Sequence, residues 1–306
     1  MKKFFLIIFV AFLWGVQLAG AQQLTVATYN IRYKNASDSG AGNGWDRRCP
    51  VICGLIRFHD FDVFGAQEVL HAQLKDMQKA LPAYDYVGVG RNDGKKRGEY
   101  APVFYKRERF EPLRSGHFWL SEITDRPNKG WDAALPRICT WVKLKDKQNG
   151  FEFYFFNLHM DHIGVIARKK SAELVIRKIR EMCGSDPVIL TGDFNVDQHH
   201  ENYAVLANSG ILSDAYTAAD ECYALNGTFN DFNPAMMTDS RIDHIFVSKS
   251  FHVERYGILT DTYRSEVAGS KAVKSGNFPN EVSLTEYEAR TPSDHFPVKV
   301  VLRAGY

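Results

Sequence analysis

The chain lacks a C-x-x-C pair, an internal repeat, a low-complexity tract, a Pro/Ser-rich linker and an apolar run long enough to span a bilayer, and each absence removes a class of protein. Cys49, Cys53, Cys139, Cys183 and Cys222 have none of the spacings of a structural zinc site. Cys49 and Cys53 stand one helical turn apart, so a disulfide between them and buried free thiols both stay open. The positive charge that marks nonspecific nucleic-acid binders is missing too: without Lys2 and Lys3, the basic residues equal the 36 acidic ones. The one basic run, Arg91 to Arg97, sits in a glycine-containing turn and reads as a solvated loop. With 45% hydrophobic residues and no linker, residues 22–306 are read as a single domain around one large core, and as a monomer.

At the N-terminus, Lys2-Lys3 precede an apolar stretch from Phe4 to Val16, followed by Ala19-Gly20-Ala21. That order predicts a secretory signal peptide over residues 1–21 and a periplasmic or extracellular mature protein. The apolar stretch falls short of the ~20 residues of a membrane span. No cysteine follows it to carry a lipid, so no stable membrane anchor is expected.

Alternating, β-branched-rich stretches predict strands at Leu24 to Ile31, Tyr84 to Gly90, Ala101 to Tyr105, Arg137 to Leu144, Phe151 to Leu158, Val188 to Gly192, Ile242 to Ser248 and Phe296 to Leu302. A further buried strand runs from Asp62 to Gln67. Apolar residues three and four apart predict amphipathic helices at Arg47 to Phe58, Leu70 to Ala80 and Val165 to Met182. Consecutive strands without an intervening helix exclude a simple parallel sheet and favour packed mixed sheets with outer helices. Long polar segments, Lys34 to Arg48, Leu120 to Pro136, Thr228 to Arg241 and Thr260 to Arg290, are of a length usually kept for function.

Metal-capable and proton-transferring residues recur where the apolar runs end. Asn30 closes the first strand, and Glu68 follows Asp62 to Gln67. Asn157, His159 and Asp161 alternate and project to one side, as do Asp193 and Asn195. Asp243-His244 opens one late strand and Asp294-His295 precedes the last. A lone aspartate of this kind is usually a turn former. Six such sites on strand ends are not explained that way, and oxygen donors such as Glu68, Asn30, Asp193 and Asp294 suit Mg²⁺, Mn²⁺ or Ca²⁺ better than zinc. Asp197, His199 and His200 read as a helix start, Asp161 and His162 as loop groups, and Trp45 and Trp131 as packing residues of the long loops. Arg137 is placed either to reach a phosphate or to pair with a rim carboxylate.

Taken in order from Thr28-Tyr29-Asn30 through Gly192-Asp193-Phe194-Asn195 to Ser293-Asp294-His295, these motifs resemble the endonuclease/exonuclease/phosphatase superfamily. That group includes DNase I-like nucleases, inositol-polyphosphate phosphatases, bacterial sphingomyelinases and deadenylase-like enzymes. The resemblance implies an α/β, DNase I-like fold: a four-layered sandwich of two mixed β-sheets flanked by helices. It implies Glu68 as principal metal ligand, with Asn30 as a second ligand or outer partner and Asp294 approaching the same ion. Asp193 would position or deprotonate the attacking water, and Asn195 would hold a phosphate oxygen. His159 would act on the phosphate or leaving group with Glu99 as its carboxylate partner, and His295 would be oriented by Asp243. Asn157 and Arg137 would touch substrate. The expectation is a metal-dependent hydrolase of a phosphodiester or phosphomonoester, acting on a nucleotide, sugar phosphate, inositol phosphate or lipid headgroup. A secreted nuclease and a sphingomyelinase-like phospholipase are the alternatives. An inactive binding module of the same fold is disfavoured because every motif position is filled, and nothing maintains buried carboxylates without a role.

Overall fold

A computed structural model describes residues 23–274, 276–277 and 279–304. The signal peptide expected over residues 1–21 lies outside the described residues. In chain order the elements are β1 (Gln23–Asn30), α1 (Ala36–Gly40), α2 (Trp45–Phe58), β2 (Val63–Gln67), α3 (His71–Ala80), β3 (Tyr84–Val87), β4 (Val103–Lys106) and β5 (Phe110–Trp119). There follow β6 (Ile138–Asp146), β7 (Glu152–His159), α4 (Val165–Cys183), β8 (Val188–Asp193), α5 (Glu201–Ala207), β9 (Ser213–Asp214) and α6 (Ala215–Ala218). The last are β10 (Ala219–Tyr223), β11 (Asp243–Val247), β12 (Phe251–Ile258), β13 (Tyr263–Glu266), β14 (Tyr287–Arg290) and β15 (Val298–Ala304).

The strands form a seven-stranded sheet ordered β10-β12-β15-β1-β2-β4-β3, a six-stranded sheet ordered β5-β6-β7-β8-β11-β9, and a separate hairpin of β13 and β14. Both large sheets are mixed, each built on a parallel pair, β1 with β2 and β7 with β8, flanked by an antiparallel strand, β15 and β11 respectively. Period-two alternation sorts their side chains. Val26, Val63, Val103 and Val300 of one sheet meet Val142, Phe153, Phe155 and Ile189 of the other in the central core. Tyr29, Phe64 and Phe104 point outward against Ile52, Ile56, Leu74 and Met77 of α2 and α3. Phe156, Leu158 and Leu190 do the same against Leu174, Val175 and Ile179 of α4. The result is the helix–sheet–sheet–helix sandwich expected from the sequence.

Several expectations are revised. Trp45 is no loop residue but the first residue of α2, buried, with its indole N–H donating to Asp76 at 2.8 Å. Thr260 to Arg290 contains the β13/β14 hairpin instead of an unstructured loop. Strands β5, β9, β10 and β12 have no counterpart in the sequence reading. All five cysteines are free. No helix among the described residues is long and apolar enough to cross a membrane.

Strand register fixes the site. His159 of β7 lies opposite Asp193 of β8, and Asp193 lies opposite Asp243 of β11, so three strands place these residues in one row. In the facing sheet, Asn30 of β1 lies opposite Gln67 of β2, with Glu68 next along the chain.

Candidate active site

Glu68, Glu99, Arg137, His159, Asp193, Asn195, Asp294 and His295 line a single pocket of about 420 Å³ at the rim where the two sheets meet. Arg32, Arg91, His162, Phe229 and Asp231 also stand on its wall. Asn30 and Asp243 stand directly behind it. The Asn30 amide N–H donates to Asp193 Oδ2 at 2.9 Å and to Glu68 Oε1 at 3.2 Å, while its oxygen accepts from the Arg32 backbone N–H at 3.0 Å. A backbone N–H must meet an oxygen, so the amide is fixed with its nitrogen toward the carboxylates. Of the two roles expected for Asn30, the geometry is that of the outer partner, holding two carboxylates in place.

The backbone at this rim is held in an unusual state. Arg32, Glu68, Asn195 and Asp231 all have positive φ, at 56°, 62°, 51° and 50°, and all line the pocket. Non-glycine residues adopt this left-handed conformation at a cost of about 1 kcal/mol or more, which persists where the surroundings over-determine it. Here the strand ends turn sharply and aim Glu68 and Asn195 into the pocket. Glu68 Oε2 then accepts from the Tyr33 backbone N–H at 3.1 Å, and the Asn195 amide donates to the Met160 carbonyl at 3.0 Å. Buried Arg48 ties the two halves of the rim together. It donates to the Ile31 carbonyl at 2.6 Å, to that of Arg32 at 3.1 Å and to that of Pro292 at 3.1 Å.

The two histidines sit in opposite environments. His295 Nδ1 is 2.8 Å from Asp243 Oδ2, and its Nε2 is 3.8 Å from Asp193 Oδ2. Burial works against its charge, but Asp243, then Asp193 and Asp294, outweigh that and hold its pKa well above the usual histidine value. His159 is pushed well below that value, first by burial and then by Arg137 and Arg91. The surroundings thus favour the charged form of His295 and the neutral form of His159, an arrangement that separates acid from base roles. Between them, burial and the Asp243 charge raise Asp193 to about 7, against the pull of His295 and the Asn30 hydrogen bond. A carboxyl poised near neutrality is suited to take a proton from water.

Other expected contacts are not made. Glu99 does not hydrogen-bond His159: its Oε2 stops 3.8 Å from Nδ1, because the Arg91 guanidinium holds the other oxygen at 2.7 Å. Arg91 itself, read from sequence as part of a solvated loop, is buried at 6% exposure and faces the pocket. Its proximity to Glu99 in the chain was the available signal. Asn157, expected to touch substrate, does not line the pocket. It is fully buried between the sheets, accepting from Gln67 at 2.6 Å and Thr191 at 3.1 Å and donating to the Ala66 and Pro102 carbonyls. Alternation put it on the face of His159 but one pleat deeper, below the pocket floor. Arg137 meets a carboxylate, with Nε 3.1 Å from Asp161 Oδ2, and also lines the pocket. Arg32, which ion-pairs with Asp294 at 3.2 Å, was passed over although it stands two residues from Asn30.

The sequence profile of the Endonuclease/Exonuclease/phosphatase family matches residues 27–295. An endonuclease/exonuclease/phosphatase family protein from Bacteroides thetaiotaomicron is 56% identical in sequence, with 93% of this chain and 98% of that one aligned at a TM-score of 0.86. A mannosyl-6-phosphatase from the same species is also 56% identical, over 91% of this chain and 99% of its own, at a TM-score of 0.84. A third structure, an endonuclease/exonuclease/phosphatase protein from Bacteroides vulgatus, is 38% identical over 93% and 100% of the two chains, at a TM-score of 0.78. Fold and site together define a phosphoric ester hydrolase built on a two-sheet α/β sandwich. The chain belongs to the endonuclease/exonuclease/phosphatase family.

Members of that family generally use a divalent metal, and the donor set here fits one. Glu68 and Asp294 present hard oxygens to the pocket, and burial, with Glu68 nearby, disfavours the Asp294 charge in a way that a bound cation would relieve. Asp193, Asp243 and His295 make a second group of ligand-capable atoms within 4.8 Å of one another. Asp243 already engages His295 there, which leaves Glu68 and Asp294 as the more open position.

Proposed function

We propose that this chain is an exported, divalent-metal-dependent phosphomonoesterase that releases inorganic phosphate from a small sugar phosphate. The observation that carries the reading is the pocket: at about 420 Å³ it has the size of one small ligand, and the guanidinium groups of Arg32, Arg91 and Arg137 line it together with Glu68, Asp193, His159 and His295. Likeness to a mannosyl-6-phosphatase over almost the full length of both chains supports the same substrate class. The balance of basic and acidic residues outside the N-terminal segment supports a small ester over a long polyanion.

Glu68 and Asp294 would hold the ion, with Asn30 fixing Glu68. When bound, the metal supplies charge neutralisation on the phosphate oxygens. Asp193, oriented by the Asn30 amide and by the Asn195 backbone N–H at 3.0 Å, takes the proton of the attacking water. Protonated His295, locked by Asp243, hydrogen-bonds a phosphate oxygen as negative charge builds there, and as the ester P–O bond breaks the departing sugar oxygen takes its proton from solvent. Neutral His159 stands beside the same group, its Nε2 3.5 Å from Asp193 Oδ2. Arg91 and Arg137 are anchored by Glu99 and Asp161, so their remaining N–H groups meet phosphate without reorganising.

The test is turnover by purified residues 22–306 with Mg²⁺, Mn²⁺ or Ca²⁺ on hexose 6-phosphates, nucleotides, oligonucleotides, inositol phosphates and sphingomyelin, with Asp193→Ala as control. Phosphate release from a hexose 6-phosphate, abolished by the substitution, is the expected result. Cleavage of oligonucleotides or sphingomyelin with no action on sugar phosphates would replace this reading with a nuclease or phospholipase.

A further inference from the structure

His162 and Asp231 stand on the pocket wall and have no part in the phosphate chemistry above. His162 is exposed, and its Nδ1 lies 2.9 Å from Arg137 Nη2. A guanidinium can only donate, so Nδ1 is the acceptor and the ring proton sits on Nε2. The guanidinium is itself locked. Asp161 accepts Arg137 Nε at 3.1 Å together with the backbone N–H groups of Ala134 at 3.1 Å, Leu135 at 3.3 Å, Ile163 at 3.0 Å and Gly164 at 2.8 Å. Asp161 positions Arg137, and Arg137 sets the tautomer of His162. What reaches the pocket is one uncharged N–H donor of fixed identity.

Asp231 is its chemical complement. It lines the same pocket, is exposed, and its carboxylate has no hydrogen bond or ion pair with any described residue. Its left-handed backbone is held by the Asp294 carbonyl, which accepts from the backbone N–H groups of Asn230 at 2.8 Å and Asp231 at 3.3 Å. An unpaired carboxylate in a pocket for an anion repels the ligand unless it faces an uncharged part. The phosphate already has charged donors in Arg32, Arg91, Arg137 and His295. An uncharged donor and a free acceptor match instead a group that both accepts and donates hydrogen bonds, which is an alcohol hydroxyl.

We propose that His162 and Asp231 form a subsite that recognises the hydroxyl groups of the leaving alcohol, selecting polyhydroxylated phosphate esters over bare ones. This rests on the phosphomonoesterase reading and specifies which end of the substrate each wall binds. Sites built to hydrogen-bond a hydroxyl discriminate against ligands lacking it, because their own polar groups are otherwise left unpaired.

The test is the ratio of kcat/KM for a hexose 6-phosphate to kcat/KM for p-nitrophenyl phosphate, which has no hydroxyl to read. His162→Phe keeps the ring and loses the donor; Asp231→Gly removes the carboxylate and suits a positive φ. Each is expected to lower the ratio by about 10-fold, the worth of one hydrogen bond, with His162→Gln and Asp231→Asn recovering part of it. Melting temperatures within a few degrees of wild type show that the variants are folded. A ratio unmoved by both substitutions, whether or not the two rates fall together, overturns the subsite. Wild-type protein inactive on hexose 6-phosphates but active on another phosphoester overturns the phosphomonoesterase reading itself, so the two failures are told apart.

Discussion

Asp243 is wholly buried, with one oxygen on His295 and the other, Oδ1, lacking a hydrogen-bond partner. Burial lowers the His295 pKa, and the Asp243 charge is the largest influence that raises it again. Asp243→Asn keeps the shape and removes that charge. It is expected to cut kcat by about 100-fold, the scale of a lost positioned acid or base. The alkaline limb of the rate profile should move to lower pH, since His295 then loses its proton sooner; an unchanged profile would refute its cationic role. Asp161 acts on stability in the opposite sense. Burial raises its pKa, but the backbone N–H groups of Gly164, Ala134 and Ile163, with Arg137, more than compensate and hold it well below the usual carboxylate range. A depressed folded-state pKa gives stabilisation that is complete above the unfolded value, about 4, and fades as pH falls through the folded one. Denaturation of wild type and Asp161→Asn at pH 7 and pH 3 should therefore show a gap that narrows in acid.

At the scale of strands, the site is a row of three neighbours, His159, Asp193 and Asp243, facing Asn30 and Glu68 across the gap between sheets. Asn157 pins that gap. Its amide takes two donors and gives both its own N–H groups to carbonyls of the opposite sheet edge. Asn157→Ala leaves several buried polar groups unpaired and is expected to cost about 2–4 kcal/mol in chemical denaturation. Gly65 is small for the same reason, since a Cβ there would lie 2.2 Å from Asn157 Oδ1. Gly65→Ala should destabilise by overpacking, on the order of 1–3 kcal/mol. The strands that carry the site were legible because alternation and β-branching mark them and because polar residues interrupt an apolar run only where a strand ends. Depth was not legible: Asn157 and His159 share a face and a period, and only sheet packing separates a pin from a pocket residue. Nor was capture of Glu99 by Arg91, which depends on a tight turn between them. β5 is not legible because edge exposure and a bulge at Pro112/Arg114 blur its alternation, and β12 because a bulge at Val253/Arg255 does the same.

For the whole molecule, the sandwich leaves one concave rim where strand ends from both sheets converge, and charge there is local: Arg32, Arg91 and Arg137 are each neutralised by a carboxylate beside them. The phosphate-facing arginines are thus paired within the pocket itself, and the basic and acidic residues outside the N-terminal segment balance. Binding to duplex DNA, followed by fluorescence anisotropy, should be undetectable at physiological salt, whereas saturable binding with a steep salt dependence would mark a nucleic-acid partner. Hydrolysis of a sugar phosphate by attack of water at phosphorus fixes where the solvent oxygen ends up. Phosphorus NMR of hexose 6-phosphate turnover with Mg²⁺ in water enriched in heavy oxygen tests it most directly. The account predicts one heavy oxygen in the released phosphate, none in the sugar, and no release by Asp193→Ala. Heavy oxygen in the sugar hydroxyl, or equal release by Asp193→Ala, would contradict it.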